Sequence, residues 1–480
     1  MGPASADGRL AARLLDFEFD RLTPEEWVIK GGADEDSPVW RVLNHFYDPL
    51  HQVGLDILGS GDAPTWALED RGDLAPQRYS YRDTRDAFYK GLTASSATTR
   101  ERELGHTFYA LGHVIHMIQD MAQPQHTRDD AHFFLGPTAS LLELYLDDNM
   151  ARFDLNSAPI PQVTLPRDLW STGESGRGLA DFSNRHFVSA GTNFTELRDG
   201  GTAERFPSPA LNVADFNSEA DTCRDGTPAP GGDRAGLVFY ANSFPDPVSG
   251  ATLRNARMTT FSIFDQHLQA RGFKLLFALN CFNIDAAAAL LLPRAVSYSA
   301  ALLRYFFRGR LEATADASGL RIVNRTPGED MRGAFKLYYD TPDGTRRLLA
   351  SWTLVVPSGQ SSGPLTVAPP PQDAAPGAPC LLVFRGALGQ EPEDAVAGQT
   401  VSCPAAPVDD PPPPPPPPPL PPNEGFCCQI FCDIQFFTGH YSTQADCTGP
   451  ECFFFPGLLD QTGYFACLYR YLDLRCASGG

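Results

Sequence analysis

Hydrophobic residues in the first three hundred positions recur mostly with the 3.6-residue period of a helix. The clearest case is 102–121, where apolar side chains fall on one helical face: Leu104, Phe108, Leu111, Ile115 and Ile118. Pro124 is expected to end this helix. Further helices are predicted for 141–153 and 293–307. The apolar stretch 273–292 holds Asn280, Asn283 and Asp285, so a buried helix is predicted there rather than a membrane span.

The period changes from 3.6 to 2 after about residue 310. Strands are predicted for four segments: 321–324, 334–340, 348–356 and 380–384. Residues 341–344 read Thr-Pro-Asp-Gly, a turn sequence between two of these strands. The pattern predicts a small β-sandwich domain over 311–404, with Cys380 and Cys403 as a plausible disulfide.

Glycine and proline mark the connections between these regions. They contribute 42 and 43 of the 480 residues, which is a high share for a globular chain. The stretch 155–255 has little periodicity and is interpreted as an elaborated loop region, closed by a Cys223–Cys281 bridge. Nine consecutive prolines at 411–419 predict a stiff polyproline linker over 405–422.

Cysteine distribution and charge bound the environment of the protein. Seven of the eleven cysteines follow position 426, so 423–480 is interpreted as a small disulfide-rich module of an oxidising compartment. We therefore expect a secreted or extracytoplasmic protein, although the first residues lack the apolar core of a signal peptide. The net charge of −20 makes stable nucleic-acid binding unexpected, because phosphate neutralisation needs clustered Lys and Arg.

Five of the ten histidines lie between positions 106 and 132. On the helix at 102–121, His113, His116 and Asp120 share one face, and His126 follows the helix end. Imidazole nitrogen and carboxylate oxygen are zinc ligands, so the spacing predicts a metal site. The alternative is that these are polar residues on a partly buried face.

The two motifs that carry this chemistry resemble those of one enzyme family. His45 begins the sequence His-Phe-Tyr-Asp-Pro, and His116, Asp120, Pro124 and His126 form the pattern HxxxDxxxPxH. These motifs resemble the bacterial zinc-dependent phospholipase C family, which shares its α-helical fold with fungal single-strand nucleases. The resemblance covers roughly 15–310 and implies a mainly α-helical catalytic domain over 1–310, within a multidomain chain.

The resemblance also implies roles for individual residues. His45, His116 and Asp120 match zinc ligands, with Asp120 bridging two metals, and His126 begins the ligand set of a second zinc. A family aspartate that ligates zinc and acts as general base corresponds best to Asp36, with Glu35 next. His113 matches no ligand, and it either orients a ligand carboxylate or belongs to the core.

Two positions depart from the family pattern. Glu143 matches a helix glutamate ligand, but the histidine expected four residues earlier is Ala139, so His132 is the expected substitute. No histidine precedes His45, so the third zinc site is absent or supplied from upstream of the given start. Two or three zinc ions are expected.

The expected reaction is hydrolysis of a phosphodiester in a phospholipid, by direct attack of water and without a covalent intermediate. A phospholipid substrate would be met at a membrane surface, and another phosphodiester would not need one. Two alternatives stay open at this level. One is a zinc-dependent nuclease or another phosphoesterase, and the other is a non-catalytic secreted binding protein whose metal site has decayed.

Overall fold

The computed structural model describes twelve stretches of the chain: 10–14, 18–68, 77–128, 141–187, 212–215, 238–261, 277–278, 281–316, 319–404, 424–431, 436–443 and 452–456. Seven α-helices lie in these stretches: α1 (Pro24–Asp34), α2 (Ala63–Leu68), α3 (Tyr81–Thr93), α4 (Ala97–Gln119), α5 (Leu141–Asn149), α6 (Leu179–His186) and α7 (Cys281–Phe306). The helix predicted at 102–121 is confirmed as part of α4, and the helices predicted at 141–153 and 293–307 correspond to α5 and α7.

Fifteen strands accompany these helices in the described stretches. The first six are β1 (Leu10–Leu14), β2 (Glu18–Leu22), β3 (Asn212–Asp215), β4 (Val238–Pro245), β5 (Thr252–Phe261) and β6 (Phe277–Ala278). The next six are β7 (Leu311–Asp316), β8 (Gly319–Asn324), β9 (Met331–Asp340), β10 (Arg346–Val356), β11 (Cys380–Leu388) and β12 (Glu391–Val401). The last three are β13 (Glu424–Phe431), β14 (Phe436–Thr443) and β15 (Cys452–Pro456).

The chain divides into two compact units that are not contiguous in sequence. Unit 1 comprises Met1–Gly32, Arg78–Gly112 and Leu303–Gly480, and unit 2 comprises Ala33–Gln77 and His113–Leu302. The proposed boundary at 310–311 therefore falls inside unit 1. Helices and a sheet-rich region are both present, in agreement with the multidomain expectation.

The core of unit 1 is an antiparallel sheet with the strand order β10-β9-β11-β12. Its inward positions alternate along the strands, as the period of two requires: Phe335, Leu337, Leu382 and Phe384 are fully buried. The hairpin β7–β8 packs Leu311, Leu320 and Ile322 into the same core. The disulfide expected between Cys380 and Cys403 is present.

Helix α3 belongs with this sheet, through contacts that link distant parts of the sequence. It begins with a capping box in which the Ser80 hydroxyl accepts from the Asp83 backbone N–H and the Asp83 carboxylate accepts from the Ser80 N–H. Arg85 is fully buried and pairs with Glu391 of β12 at 3.1 Å. On the same helix, Asp86 accepts a hydrogen bond from Arg385 of β11.

Two glycines of unit 1 let α1 and α4 approach closely. A Cβ atom on Gly31 would lie 1.9 Å from the carbonyl oxygen of Tyr109, and one on Gly112 would lie 2.2 Å from the carbonyl oxygen of Val28. Beside this crossing, Trp27 meets Tyr109 edge to face with ring centroids 5.9 Å apart. Only a residue without Cβ fits at either position.

Unit 2 contains helices together with strands that the sequence pattern did not indicate. The stretch 155–255 was expected to be loop, but β3 and β4 lie within it and pair with β5 and β6 in the order β3-β4-β5-β6. The described residues 151–178 are irregular, as expected, with short 3₁₀ turns. Asp246, at the end of β4, forms a buried ion pair with Arg294 of α7.

Helix α7 is apolar over most of its length. Its segment Ile284–Phe306 has the length and composition to cross a membrane, with a mean hydropathy of 1.5, and 61% of the most apolar window is buried in the protein. Core helices of soluble proteins show the same properties. The buried helix expected at 273–292 holds from Cys281 onward, where Ile284 and Leu291 are buried, but the described residues Phe277–Ala278 form strand β6 instead.

A histidine of α6 provides a pH-dependent contribution to stability. Burial, with the nearby charges of Arg185 and Arg294, lowers the pKa of His186 to about 4. The imidazole ring stacks on the ring of Phe244, with the two ring centroids 3.9 Å apart. The unfolded chain takes up the proton near pH ~6.5, so stability is lost as pH falls below that value. We expect a loss of about 1–2 kcal/mol from about pH 7 to about pH 5. Denaturant unfolding should show this loss in the wild type and its absence in His186→Phe.

The C-terminal module contains an antiparallel sheet with the order β14-β13-β15. Several predictions lie outside the described residues: the linker 405–422, Cys223 of the expected Cys223–Cys281 bridge, and most cysteines of the tail. His132 and Ala139 also lie outside them.

Candidate metal centre

The site is built in unit 2 where two sequence segments are tied together by backbone contacts. A 3₁₀ turn, Val39–Asn44, delivers His45, and a second 3₁₀ turn, Asp120–Ala122, continues from α4. The backbone N–H of Tyr47 donates to the carbonyl of His126 at 2.8 Å. In return, His126 Nδ1 donates to the carbonyl of His45 at 3.0 Å. The histidines of the two sequence motifs are therefore held beside each other.

Four of the residues named from the sequence converge on one point. Asp36 Oδ1 lies 3.5 Å from His45 Nδ1 and 3.6 Å from His116 Nε2. Asp120 Oδ2 lies 2.9 Å from the same His45 nitrogen and 3.4 Å from the same His116 nitrogen. Asp36, His45 and His116 form a group of three whose donor atoms all lie within 4.8 Å of one another, and Asp120 lies beside the two histidines without being a member of that group.

The four nitrogen-to-oxygen distances can be compared with the edges of a zinc tetrahedron. Zinc–nitrogen and zinc–oxygen bonds of ~2.0–2.2 Å place neighbouring ligand atoms of a tetrahedron about 3.3–3.6 Å apart. The four donor-to-donor distances, from 2.9 to 3.6 Å, lie at or slightly below this value. Two imidazole nitrogens and two carboxylate oxygens are a ligand set that zinc accepts, so the residues fit the metal implied by the sequence motifs.

The charges of the cluster are strongly coupled. Burial alone would raise the pKa of Asp120, but the positive charges of His116, His126 and His45 hold that pKa well below its usual range. Burial opposes protonation of His116, yet the Asp120 carboxylate raises the pKa of this histidine to about 10. The pKa of His45 is raised against burial by the same carboxylate. Without metal the cluster is a set of ion pairs, and a divalent cation replaces protons when it binds.

The second set of ligands expected from the sequence is partly visible. His126 is buried, stacks on Phe46 with ring centroids 4.6 Å apart, and places Nδ1 3.7 Å from Asp120 Oδ2. Because its Nδ1 donates to a carbonyl, Nε2 carries the lone pair that could bind a metal. Glu143 of α5 accepts a hydrogen bond from Gln123 at 2.8 Å, and Gln123 lies three residues before His126. Glu143 thus lies beside the loop that holds His126.

Glu35 and Asp36 occupy opposite environments although they are adjacent in sequence. The Glu35 side chain is 1% exposed, whereas that of Asp36 is 58% exposed. Glu35 accepts hydrogen bonds from both Arg41 and the indole N–H of Trp66, and it contacts His113 Nδ1. Burial would raise its pKa, but the contacts with His113 and His45 and the charge of Arg41 hold the pKa well below its usual range. Of the two predicted bases, Asp36 is therefore the one that solvent reaches.

Three residues of this buried group were not identified from the sequence. Arg41, Trp66 and Gln77 are buried, and Gln77 contacts Arg41 at 3.3 Å while donating to the carbonyl of Trp66 at 2.7 Å. The sequence offers one signal for two of them: Arg41 and Trp66 lie in the same part of the chain as the predicted ligand His45. His113 is buried and contacts the carboxylate of Glu35, so its role in orienting a ligand carboxylate stays a prediction.

The comparisons with known proteins place the chain only loosely. No protein-family model and no curated protein sequence matches it. Among solved structures, the alpha-toxin of Clostridium perfringens from an avian strain is similar at 12% sequence identity, with a TM-score of 0.23, over 76% of this chain and 78% of that chain. A likeness this distant indicates nothing about the function of this chain.

Proposed function

We propose that this protein is a zinc-dependent phosphoesterase, most specifically a phospholipase C that hydrolyses the phosphodiester of phospholipids. The observation that carries the proposal is that His45 Nδ1 and His116 Nε2 each lie within 2.9–3.6 Å of a carboxylate oxygen of Asp36 and of Asp120, which are edge lengths of a zinc tetrahedron. Asp120, His126, Glu143 and, from outside the described residues, His132 are proposed for a second zinc. The resemblance of the two sequence motifs supports the choice of metal and of reaction class.

The metal and the residues of the site are proposed to have different roles in the reaction. When bound, zinc supplies Lewis acidity toward phosphoryl oxygens and lowers the pKa of water. The Asp36 carboxylate is exposed and can take a proton from an attacking water. Asp120, at the centre of three histidines, holds their rings toward one point. The ligand set contains no serine, threonine or cysteine, which supports direct attack by water.

The composition of the segment 37–61, which contains the proposed ligand His45, favours a lipid substrate over a nucleic acid. Within 37–61 the charged residues are Arg41, Asp48 and Asp56, and the first two are buried. The same segment exposes five large apolar side chains: Val39, Trp40, Leu50, Val53 and Leu58. A phosphate backbone would need clustered cations here, whereas a bilayer accepts apolar side chains.

The loop that follows His45 presents one of these side chains in an unusual way. Asp48 and Val53 close a short bridge, and Leu58 is 94% exposed with a φ of 54°. A non-glycine residue in this region is strained. Such strain at an exposed leucine is consistent with a functional contact of this loop.

A substitution at Leu58 should therefore affect activity on a lipid surface more than activity on a dissolved lipid. We expect Leu58→Asp to lower hydrolysis of phosphatidylcholine vesicles about tenfold while hydrolysis of a monomeric short-chain phosphatidylcholine stays within about twofold, since burying a leucine contributes ~1.5–3 kcal/mol. Val355→Asp, at an exposed valine of β10, is the matched control. Equal losses on both substrates would contradict the membrane contact.

The proposed location is extracytoplasmic, supported by the Cys380–Cys403 disulfide. The function is tested by assaying the zinc-loaded protein in parallel on phosphatidylcholine and on single-stranded DNA. Release of a phosphorylated head group with no cleavage of DNA is the expected result. Nuclease activity alone would replace phospholipase C with the nuclease hypothesis.

A further inference from the structure

The imidazole of His45 lies between two carboxylate groups. On one side its Nδ1 faces Asp36 and Asp120, at 3.5 and 2.9 Å. On the other side its Nε2 lies 3.5 Å from Glu35 Oε1. Within the described part of the chain, this Nε2 is buried and makes no hydrogen bond of good geometry. The carboxylate of Glu35 is the charged group that faces it.

Glu35 is itself held by several partners. Arg41 Nη2 contacts both of its carboxylate oxygens, at 2.7 and 2.6 Å, and Arg41 Nε donates to its backbone carbonyl at 3.0 Å. The Trp66 indole N–H donates to Oε1 at 3.0 Å. His113 Nδ1 contacts Oε2. Together these contacts fix the position of the Glu35 carboxylate beside His45.

We propose that Glu35 is a positioning residue for His45, and that Arg41 and Trp66 fix it in place; this role rests on the proposed zinc site. Metal-ligating histidines almost always donate their second ring N–H to a carboxylate, a carbonyl or water, which sets the tautomer and the ring orientation. Glu35 selects the tautomer with hydrogen on Nε2, and His45 Nδ1 then presents its lone pair to the point shared with Asp36, His116 and Asp120.

This role differs from that of a general base. A base must reach a water at the reacting centre, but the Glu35 side chain is 1% exposed and its oxygens are engaged by Arg41, Trp66 and His113. The adjacent Asp36 has the exposure that such a role needs. The two neighbouring carboxylates thus serve one site from opposite sides of the same histidine.

The test uses Glu35→Gln, which keeps the shape of the side chain and removes its charge. We expect zinc affinity, measured by competition with a chromophoric chelator, to fall about 10–100-fold. The visible absorption of the cobalt-loaded variant should also change, because the orientation of one nitrogen ligand is altered. Arg41→Met should shift both quantities in the same direction, since it releases Glu35.

A general loss of stability is separated by a matched variant. Asp246→Asn breaks another buried ion pair of unit 2, with Arg294, and contacts none of the proposed ligands. We expect it to lower the melting temperature of the metal-free protein at least as much as Glu35→Gln does, while zinc affinity and the cobalt spectrum stay near wild type. Thermal melts of all three metal-free variants provide the reference.

Three results would overturn the inference. Wild-type zinc affinity in Glu35→Gln would show that His45 needs no carboxylate partner. If zinc affinity falls in Asp246→Asn as much as in Glu35→Gln, in proportion to the melting temperature of each variant, then Glu35 acts only through folding. A wild-type protein that binds no zinc would remove the proposed metal site itself, whereas zinc binding without phosphoesterase activity would overturn only the proposed reaction.

Discussion

Asp120→Asn is expected to abolish stable zinc binding and to lower phosphodiester hydrolysis more than about 100-fold. Asp120 Oδ2 lies 2.9 Å from His45 Nδ1, 3.4 Å from His116 Nε2 and 3.7 Å from His126 Nδ1. The substitution removes a ligand charge and the group that holds three imidazoles together. Loss of a partner that only supports a ligand costs ~10–100-fold, so loss of this central carboxylate should cost more.

The measurement is zinc content after gel filtration, together with initial rates on phosphatidylcholine at saturating zinc. Asp168→Asn is the matched control, because this aspartate of unit 2 accepts hydrogen bonds from the backbone of Thr164 and Leu165 and touches none of the proposed ligands. It should keep its zinc and its rate. Wild-type zinc content in Asp120→Asn would remove the proposed centre.

Glu391→Gln is expected to destabilise unit 1 by about 3–5 kcal/mol, because it leaves buried positive charge uncompensated. Glu391 pairs with Arg85 at 3.1 Å and with Arg308 at 2.7 Å. Arg85 also donates to the Tyr81 hydroxyl and to the carbonyl of Phe306, both at 2.6 Å. A neutral amide cannot compensate the fully buried Arg85 guanidinium, whereas Arg308 keeps its ion pair with Glu329 at 2.9 Å.

Urea denaturation of the full chain measures the effect. Glu312→Gln, which breaks the solvent-exposed pair with Arg325, is the control and should cost no more than ~1 kcal/mol. A combined Arg85→Met and Glu391→Gln variant should lose less than the sum of the two single losses, since the two residues interact directly. Additive losses, or a change below about 1 kcal/mol in Glu391→Gln, would contradict the structural role of this pair.

Local sequence patterns predicted which residues come together in the candidate metal site. His116 and Asp120 are four positions apart, a spacing that places both side chains on one face when the segment is a helix, and α4 extends to Gln119 before the 3₁₀ turn at Asp120. Pro124 then allows the chain to return with His126. The same kind of pattern predicted β9 and the Cys380–Cys403 disulfide, because strand alternation and cysteine placement are local features.

Tertiary partners could not be predicted from such patterns. Arg41 and Trp66 contact Glu35 across 6 and 31 sequence positions, and no periodicity records such a pairing. Likewise, Arg85 meets Glu391 across 306 positions, so the inclusion of α3 in unit 1 was not visible from a change of period near residue 310. The strands β3 and β4 were missed because they lie in a stretch rich in Gly, Pro, Asn and Asp, which lower strand propensity, and β6 was missed because its apolar stretch, 273–292, was predicted to be a helix.

The choice between Asp36 and Glu35 shows how burial decides a role that sequence leaves open. Both are carboxylates one residue apart, and either could match the acidic residue implied by the family resemblance. In the folded chain, one is exposed beside His45 Nδ1, and the other lies among Arg41, Trp66 and His113 on the Nε2 side. Residue type alone could not separate these positions.

Metal analysis of the purified wild-type protein, combined with a phosphatidylcholine assay before and after chelation, tests the zinc phosphoesterase proposal most directly. The arrangement of Asp36, His45, His116 and Asp120 predicts at least one zinc per chain after gentle purification. It also predicts loss of head-group release on chelation and recovery when zinc is returned. Less than one zinc per chain under zinc-replete conditions, or hydrolysis that survives complete removal of metal, would contradict it.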